Sequence, residues 1–400
     1  MTMQLTTTQW PLPDVDDRLI IEFDMFGVQP VDGDIHAGWH EWHSAPDLFY
    51  TPLHGGVWVA TRADDIHEIM SDDERFSNHG VALIRESGGT RFIPGELDPP
   101  IHTAFRKVLN PETSPRRIRA FEESSRKLCI NLIEEIQGRR ECEFRAAISE
   151  KMPIYNFLFF MGLPLEDAET LLPHSNTIVH DHDMTAFAAA LEALHAYVDA
   201  RIDERLENPL DDFISRLLSA TIEGRPIARE EVRVTVLNVM LGGLDTVTGS
   251  MGFFFNFLAR NPDHRRQLAE NPSMIPQANE ELFRRHAIFN TGRLVKNACE
   301  WKGITLREND LILIPGALHN LDERKFPNPL KVDFERRDGP HITFGVGIHR
   351  CLGSNIARMQ LKILLEEWLK RIPEFAITAG GEVKAQSGRS NTVTHLPLSW

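Results

Sequence analysis

Near the C-terminus one cysteine closes a glycine-rich loop, Phe344-Gly345-Val346-Gly347-Ile348-His349-Arg350-Cys351-Leu352-Gly353. An amphipathic run follows, with Leu352, Ile356, Ala357, Leu361, Leu364, Leu365 and Trp368 at helical spacing. Loop glycines carry no side chain to collide with a flat object brought close to the backbone. A thiol at a helix N-terminus lies in the positive end of the dipole, which favours the thiolate and with it metal ligation. A single cysteine cannot build a four-sulfur cluster or a zinc ribbon, but it can supply the one axial thiolate of a haem. The plain alternative is a buried structural cysteine in a turn. A dinucleotide-binding reading of Gly345-Val346-Gly347 fails, because Arg350 replaces the third glycine and no βαβ unit with a downstream acid follows.

The pattern of Phe344, two glycines, basic His349 and then Cys351-Leu352-Gly353 resembles the haem-binding loop of the cytochrome P-450 family. The resemblance covers nearly the whole chain. It implies a mainly α fold, with many helices and small β-sheets around a buried haem b (iron protoporphyrin IX), as one domain over residues 1–400. Cys351 is then the iron ligand. Residues 1 to about 45, rich in Pro, Asp and Trp, read as an irregular arm. Residues 56–61 alternate as a short strand before a helix around Ala63–Met70. Helical patterns dominate from 101 to 218, and a turn at Glu223-Gly224-Arg225-Pro226 leads into a long helix from about Arg229 to Arg260. Asn261-Pro262 ends that helix, Asn271-Pro272 breaks the next, and Leu311–Pro315 reads as a strand.

The long helix is almost wholly apolar over Val234–Phe255, and its centre reads Leu241-Gly242-Gly243-Leu244-Asp245-Thr246. Its polar insertions and charged flanks point to burial in a large core rather than to a membrane span. Paired glycines cost about 1 kcal/mol each relative to alanine, so something must compensate. A threonine hydroxyl can bond back to the i−4 carbonyl and open the turn. In the family the matching acid–alcohol pair lies over the distal face of the haem. The resemblance therefore implies that Asp245 relays protons, that Thr246 holds a water and donates a hydrogen bond, and that the glycines leave room for O2.

Haem brings two carboxylates that need cations or donors when buried. Asp98-Pro99-Pro100 followed by His102 and Arg106, together with Gly292-Arg293 and His349, matches the family's propionate partners. Glu281 and Arg284 resemble its helical E-x-x-R, a folding element whose third member is either Arg324 or Arg336. His180-Asp181-His182-Asp183 looks metal-like but falls in an inter-helix loop, where a solvated charge run is the simpler reading.

Within the family the resemblance is strongest to the camphor-oxidising bacterial branch, through Phe92-Ile93-Pro94, the 242–247 segment and the closing Leu396-Pro397-Leu398-Ser399-Trp400. The substrate positions depart from it. Thr90 stands where that branch presents a tyrosine, and Asn238 and Arg389 stand where it has apolar residues. The expected lining is Thr90, Asn238, Leu241, Leu244, Phe289 and Arg389. These departures point away from camphor to a related small apolar terpenoid or norisoprenoid, such as an ionone-type ketone, hydroxylated with O2.

The chain carries no flavin or nicotinamide fingerprint, so electrons come from another protein; the resemblance implies a small acidic [2Fe–2S] ferredoxin served by a flavin-dependent reductase. Arg106 and Arg350 near the Cys loop offer it a local basic patch. A formal net charge of −15 argues against nucleic acid and anionic membrane surfaces. Four scattered cysteines and an N-terminus without an apolar stretch fit a soluble cytoplasmic protein. A peroxygenase, an isomerase and a non-catalytic haem sensor are the rival readings; the acid–alcohol pair counts against the first two.

Overall fold

The computed structural model describes residues 15–79, 92–180 and 184–400. The chain divides into two compact units, one of Met1–Gly89, Gln277–Cys351 and Ala385–Val393, the other of Thr90–Pro276, Leu352–Lys384 and Thr394–Trp400.

The first unit is built on a five-stranded sheet in the order Leu48–Thr51, Val57–Ala60, Leu311–Pro315, Asn290–Val295, Phe76–Ser77. Leu311–Pro315 pairs parallel with Val57–Ala60, through Ile312↔Trp58 and Leu313↔Val59, and antiparallel with Asn290–Val295. Four of these strands are buried at every position, which explains runs such as Leu-Ile-Leu-Ile that do not alternate. Helix Ala63–Ser71 starts where Asp322 accepts from the Ala63 N–H at 2.8 Å, with Asp64 and Asp65 in its first turn. The arm is not wholly irregular. Ile35–His40 is a short helix, capped by the Asp34 carboxylate through the N–H groups of His36 and Ala37.

The second unit is helical, and its long central element is Arg229–Arg260. Glu231 reaches back to accept the Ala228 N–H at 2.8 Å; Ala228 has no side-chain oxygen to reciprocate. One stretch of the helix buries Val232, Val236, Leu237, Met240 and Leu244 in a core shared with Phe105, Ile154, Leu158, Leu194 and Phe213. Toward its end, Phe255 stacks on Phe144 at 4.3 Å and on Phe375 at 5.6 Å, with Trp368 edge-on at 5.0 Å. A single π-turn at Arg145–Ser149 lies beside it, where the Thr248 hydroxyl contacts the carbonyls of Ser149 (2.7 Å) and Leu244 (2.8 Å). Helix Ser354–Arg371 lies along Pro115–Gln137, and Arg126 links them by ion pairs to Glu366 and Glu367. A small sheet joins Ala376–Ile377, Pro397–Ser399 and Glu141–Glu143. Among the described residues no helix is long and apolar enough to cross a membrane.

Candidate active site

In the first unit the Cys loop is closed by its own backbone. The Cys351 N–H donates to the Phe344 carbonyl at 2.7 Å, that of Gly345 to Ile342 at 2.6 Å, and that of Arg350 to Gly347 at 3.2 Å. Gly345 and Gly347 have φ of +68° and +69°, the left-handed region that disfavours side chains. A Cβ on Gly347 would lie 3.0 Å from the Met70 carbonyl oxygen and 3.2 Å from the Ser71 Cα. Gly347 is thus required by its own φ and by the end of helix Ala63–Ser71, which sequence reasoning had not attributed to it.

The helix after the loop begins at Ser354, with Gly353 as its cap, so Cys351 stands two residues outside the cap rather than in the first turn.

The four cysteines are not equivalent. Burial pushes the thiols of Cys129 and Cys142 up to about 12 and raises that of Cys299, so these stay protonated. Cys351 is exposed.

Behind the loop is a network that sequence reasoning only half located. Glu281 accepts from Arg284 Nε at 2.8 Å and from Arg336 Nε at 3.1 Å, so Arg336 is the third member of the triad. Arg324 instead pairs with Asp47 at 2.9 Å. Arg284 Nη1 donates to the Asn320 carbonyl at 2.8 Å. The Asn320 side chain then holds the loop base, donating to Thr343 Oγ1 at 2.8 Å and accepting from the Ile342 N–H at 3.0 Å. Asn320 and Thr343 carried no signal beyond being polar residues in an apolar stretch.

The remaining candidates of this unit are spread over other elements. Arg293 is buried on strand Asn290–Val295, with Nη1 on the Gly292 carbonyl at 2.7 Å. His349 ends the 3-10 turn of the Cys loop. Phe289 precedes the strand and bridges to Ser390, next to Arg389.

The second unit holds the other candidates. His102 and Arg106 lie one turn apart on one face of Ile101–Leu109; His102 is buried and Arg106 half-buried. Leu241 and Leu244 belong to the helical core. Asn238 donates its Nδ2 to the Ile93 carbonyl at 3.1 Å, tying the central helix to the 92–97 segment and leaving Oδ1 as the atom it can offer a ligand. Thr246 Oγ1 donates to the Gly242 carbonyl at 2.7 Å, so its one proton is committed and it presents lone pairs. Thr90 and Asp181–Asp183 lie outside the described residues.

These residues fit a thiolate-ligated haem on two observations. The accessible thiol is the one held on a self-closed loop. On the central helix, Gly242 is exposed within a mostly buried element, and a Cβ on Gly242 or Gly243 would meet nothing within 4 Å. That is an open notch where a flat group and a small molecule can approach the backbone.

Comparison with known proteins agrees. The Cytochrome P450 family model matches residues 165–383. A "Probable cytochrome P450 127A1" from Sinorhizobium fredii is 34% identical over 403 aligned residues, covering 98% of this chain and 97% of that protein. The crystal structures of CYP101J2 and CYP101C1 are 33% and 34% identical and superpose with a TM-score of 0.91 each, over 98% of this chain and 100% of theirs. Those neighbours are of the camphor-hydroxylase-like branch, the family's cofactor is haem b, and its members work with O2, a substrate and a redox partner. The chain is a cytochrome P450 monooxygenase of the bacterial kind and belongs to the cytochrome P450 family.

Proposed function

We propose that this monooxygenase hydroxylates a small apolar terpenoid or norisoprenoid, of which an ionone-type ketone is the model, with electrons from a [2Fe–2S] ferredoxin and its flavin-dependent reductase. The observation that carries the haem-thiolate chemistry is the accessible Cys351 on its self-closed loop. When bound, haem supplies the activation of O2 and the insertion of one oxygen atom into a C–H bond. The protein's own groups do the rest.

Cys351 ligates the iron, and His102, Arg106, Arg293 and His349 hold the propionates, arginine by its bidentate fork. Thr246 accepts from a water on the open side of the notch and keeps it oriented. Asp245, next in the chain, passes protons to that water. Leu241 and Leu244 keep bulk water from the reacting carbon. Asn238, its Nδ2 donated to the Ile93 carbonyl, borders the substrate, and Thr90 and Phe289 complete the lining. Arg106 and Arg350 receive the ferredoxin's carboxylates, and cysteines not paired in disulfides support a reducing, cytoplasmic setting.

Titration with camphor and with ionone-type ketones, read from the haem spin state, tests the substrate class. Ionones are expected to bind and shift the spin state; tight camphor binding with no ionone response would reverse the assignment.

A further inference from the structure

Three side chains of the first unit bring metal-binding atoms together, and they share no residue with the haem site proposed above. His40 ends the helix Ile35–His40, and His43 lies three residues on, in the 3-10 turn Glu41–Ser44. That spacing stacks the two rings on one side of the arm, with centroids 5.1 Å apart. Glu323 comes from the loop that follows the short helix Gly316–Asn320. One ligand atom from each of the three lies within 4.8 Å of the other two. Among the described residues, no other group of three histidine, cysteine, aspartate or glutamate side chains does so.

Both histidines are left incompletely satisfied by the protein itself. His40 Nε2 is shielded from water and makes no hydrogen bond. Glu323 Oε2 stands 3.6 Å from it, beyond hydrogen-bond reach. Two donors bound at about 2.0–2.2 Å to one tetrahedral ion lie roughly 3.4 Å apart, so this gap suits an ion held between them. His43 is buried, with Nδ1 3.0 Å from the His40 carbonyl and Nε2 2.8 Å from the Leu318 carbonyl. Carbonyls only accept, and a neutral imidazole has one N–H, so one ring nitrogen sets its lone pair against a carbonyl oxygen. The nitrogen that keeps the proton fixes the ring, as the outer hydrogen bond of a metal-bound histidine does; the other is left to ligate. The surrounding charge favours a cation. Arg62 faces Glu323 Oε1 at 3.4 Å, but also Asp47 at 3.0 Å and Asp322 at 3.4 Å, and Arg324 shares Asp47. Two arginines thus stand against three carboxylates.

We propose that His40, His43 and Glu323 form a binding site for a divalent transition metal, with zinc as the ion, which ties the N-terminal arm to the loop around Glu323. Two imidazoles and a carboxylate are a donor set that zinc takes readily, whereas calcium and magnesium take oxygen donors. Three protein ligands leave a fourth position for water, which reaches the site from the exposed side of Glu323. The ion joins segments far apart in the chain. Because it is bound only when they are folded together, it stabilises the folded state.

The test is calorimetric titration of the haem-loaded enzyme, first dialysed against EDTA, with ZnCl2 at neutral pH. Wild type is compared with His40→Gln and Glu323→Gln, and is also titrated with CaCl2 and MgCl2. One equivalent of Zn2+ is expected to bind wild type in a saturable step, about tenfold or more tightly than either variant, while Ca2+ and Mg2+ give no such step. Glu323 is exposed and Arg62 keeps Asp47 and Asp322, so Glu323→Gln tests ligation without loss of the fold. The urea midpoint should rise with Zn2+ in wild type and stay where it is in Glu323→Gln. Absence of a saturable step overturns the proposal, and His43 then meets both carbonyls as an imidazolium. Zinc affinity unchanged in both variants also overturns it, by placing the ion elsewhere, as does a urea midpoint that Zn2+ does not move. The carbon monoxide spectrum is followed through the titration; a spectrum that changes in step with zinc binding would put the ion on Cys351 and overturn the assignment.

Discussion

Thr246 has one hydroxyl proton, and it lies on the Gly242 carbonyl at 2.7 Å. Its part in proton delivery is therefore to accept and orient. Thr246→Ala is expected to keep consuming reductant while the yield of hydroxylated product per electron pair falls about tenfold or more, the electrons leaving as hydrogen peroxide. Product, peroxide and reductant measured together check this, and fully coupled turnover in the variant would contradict it. Gly347 makes a second residue-scale case. Its φ of +69° and the 3.0 Å approach of its Cβ position to the Met70 carbonyl leave no room for a methyl group. Gly347→Ala is expected to cost about 1–3 kcal/mol in chemical unfolding. At this scale Cys351 was legible because its loop pattern is short and specific. The packing reason for Gly347 was not, since it depends on a helix end some 280 residues earlier in the chain. Asn238 shows the same limit, because its partner, the Ile93 carbonyl, leaves no mark in sequence.

At the scale of elements, the Glu281–Arg284–Arg336 triad is a buried charge cluster joined through Asn320 to the base of the Cys loop. Removing one member strands the others, and breaking a buried pair of this kind typically costs about 3–5 kcal/mol. Arg336→Ala is expected to lower stability by that order and to reduce haem retention. Arg324 is itself exposed and its partner Asp47 keeps Arg62, so Arg324→Ala should change stability by about 1 kcal/mol or less. Urea unfolding of both variants checks the contrast, and equal effects would contradict it. The sequence carried the acid and arginine three residues apart but left the third member open, because choosing it needs the path of residues 320–340. Long periodic elements were read well, and helix Arg229–Arg260 has the bounds its caps and Asn261-Pro262 imply. The short helix Ile35–His40 and the π-turn Arg145–Ser149 were missed, since neither is long enough to show a period.

At the scale of the whole molecule, the five-stranded sheet gathers segments from both ends of the chain, an order that local patterning does not encode. The first unit also buries histidines that hydrophobic spacing gave no reason to expect. Burial pushes His36 down to about 4 and His319 to about 3, and holds His286 well below its ordinary value, so all three are neutral when folded. Unfolded, each takes up a proton below about pH 6.5. The unfolded state then binds more protons, and stability that is complete above pH 6.5 is lost as pH falls toward 4. The urea midpoint is expected to drop between pH 7 and pH 5, and a flat profile would contradict this. The central claim, that Cys351 ligates haem as a thiolate, is tested most directly by the absorption spectrum of the dithionite-reduced protein under carbon monoxide. The account predicts a strongly red-shifted Soret band; a band at the shorter wavelength of histidine or neutral-thiol ligation in freshly prepared protein would contradict it.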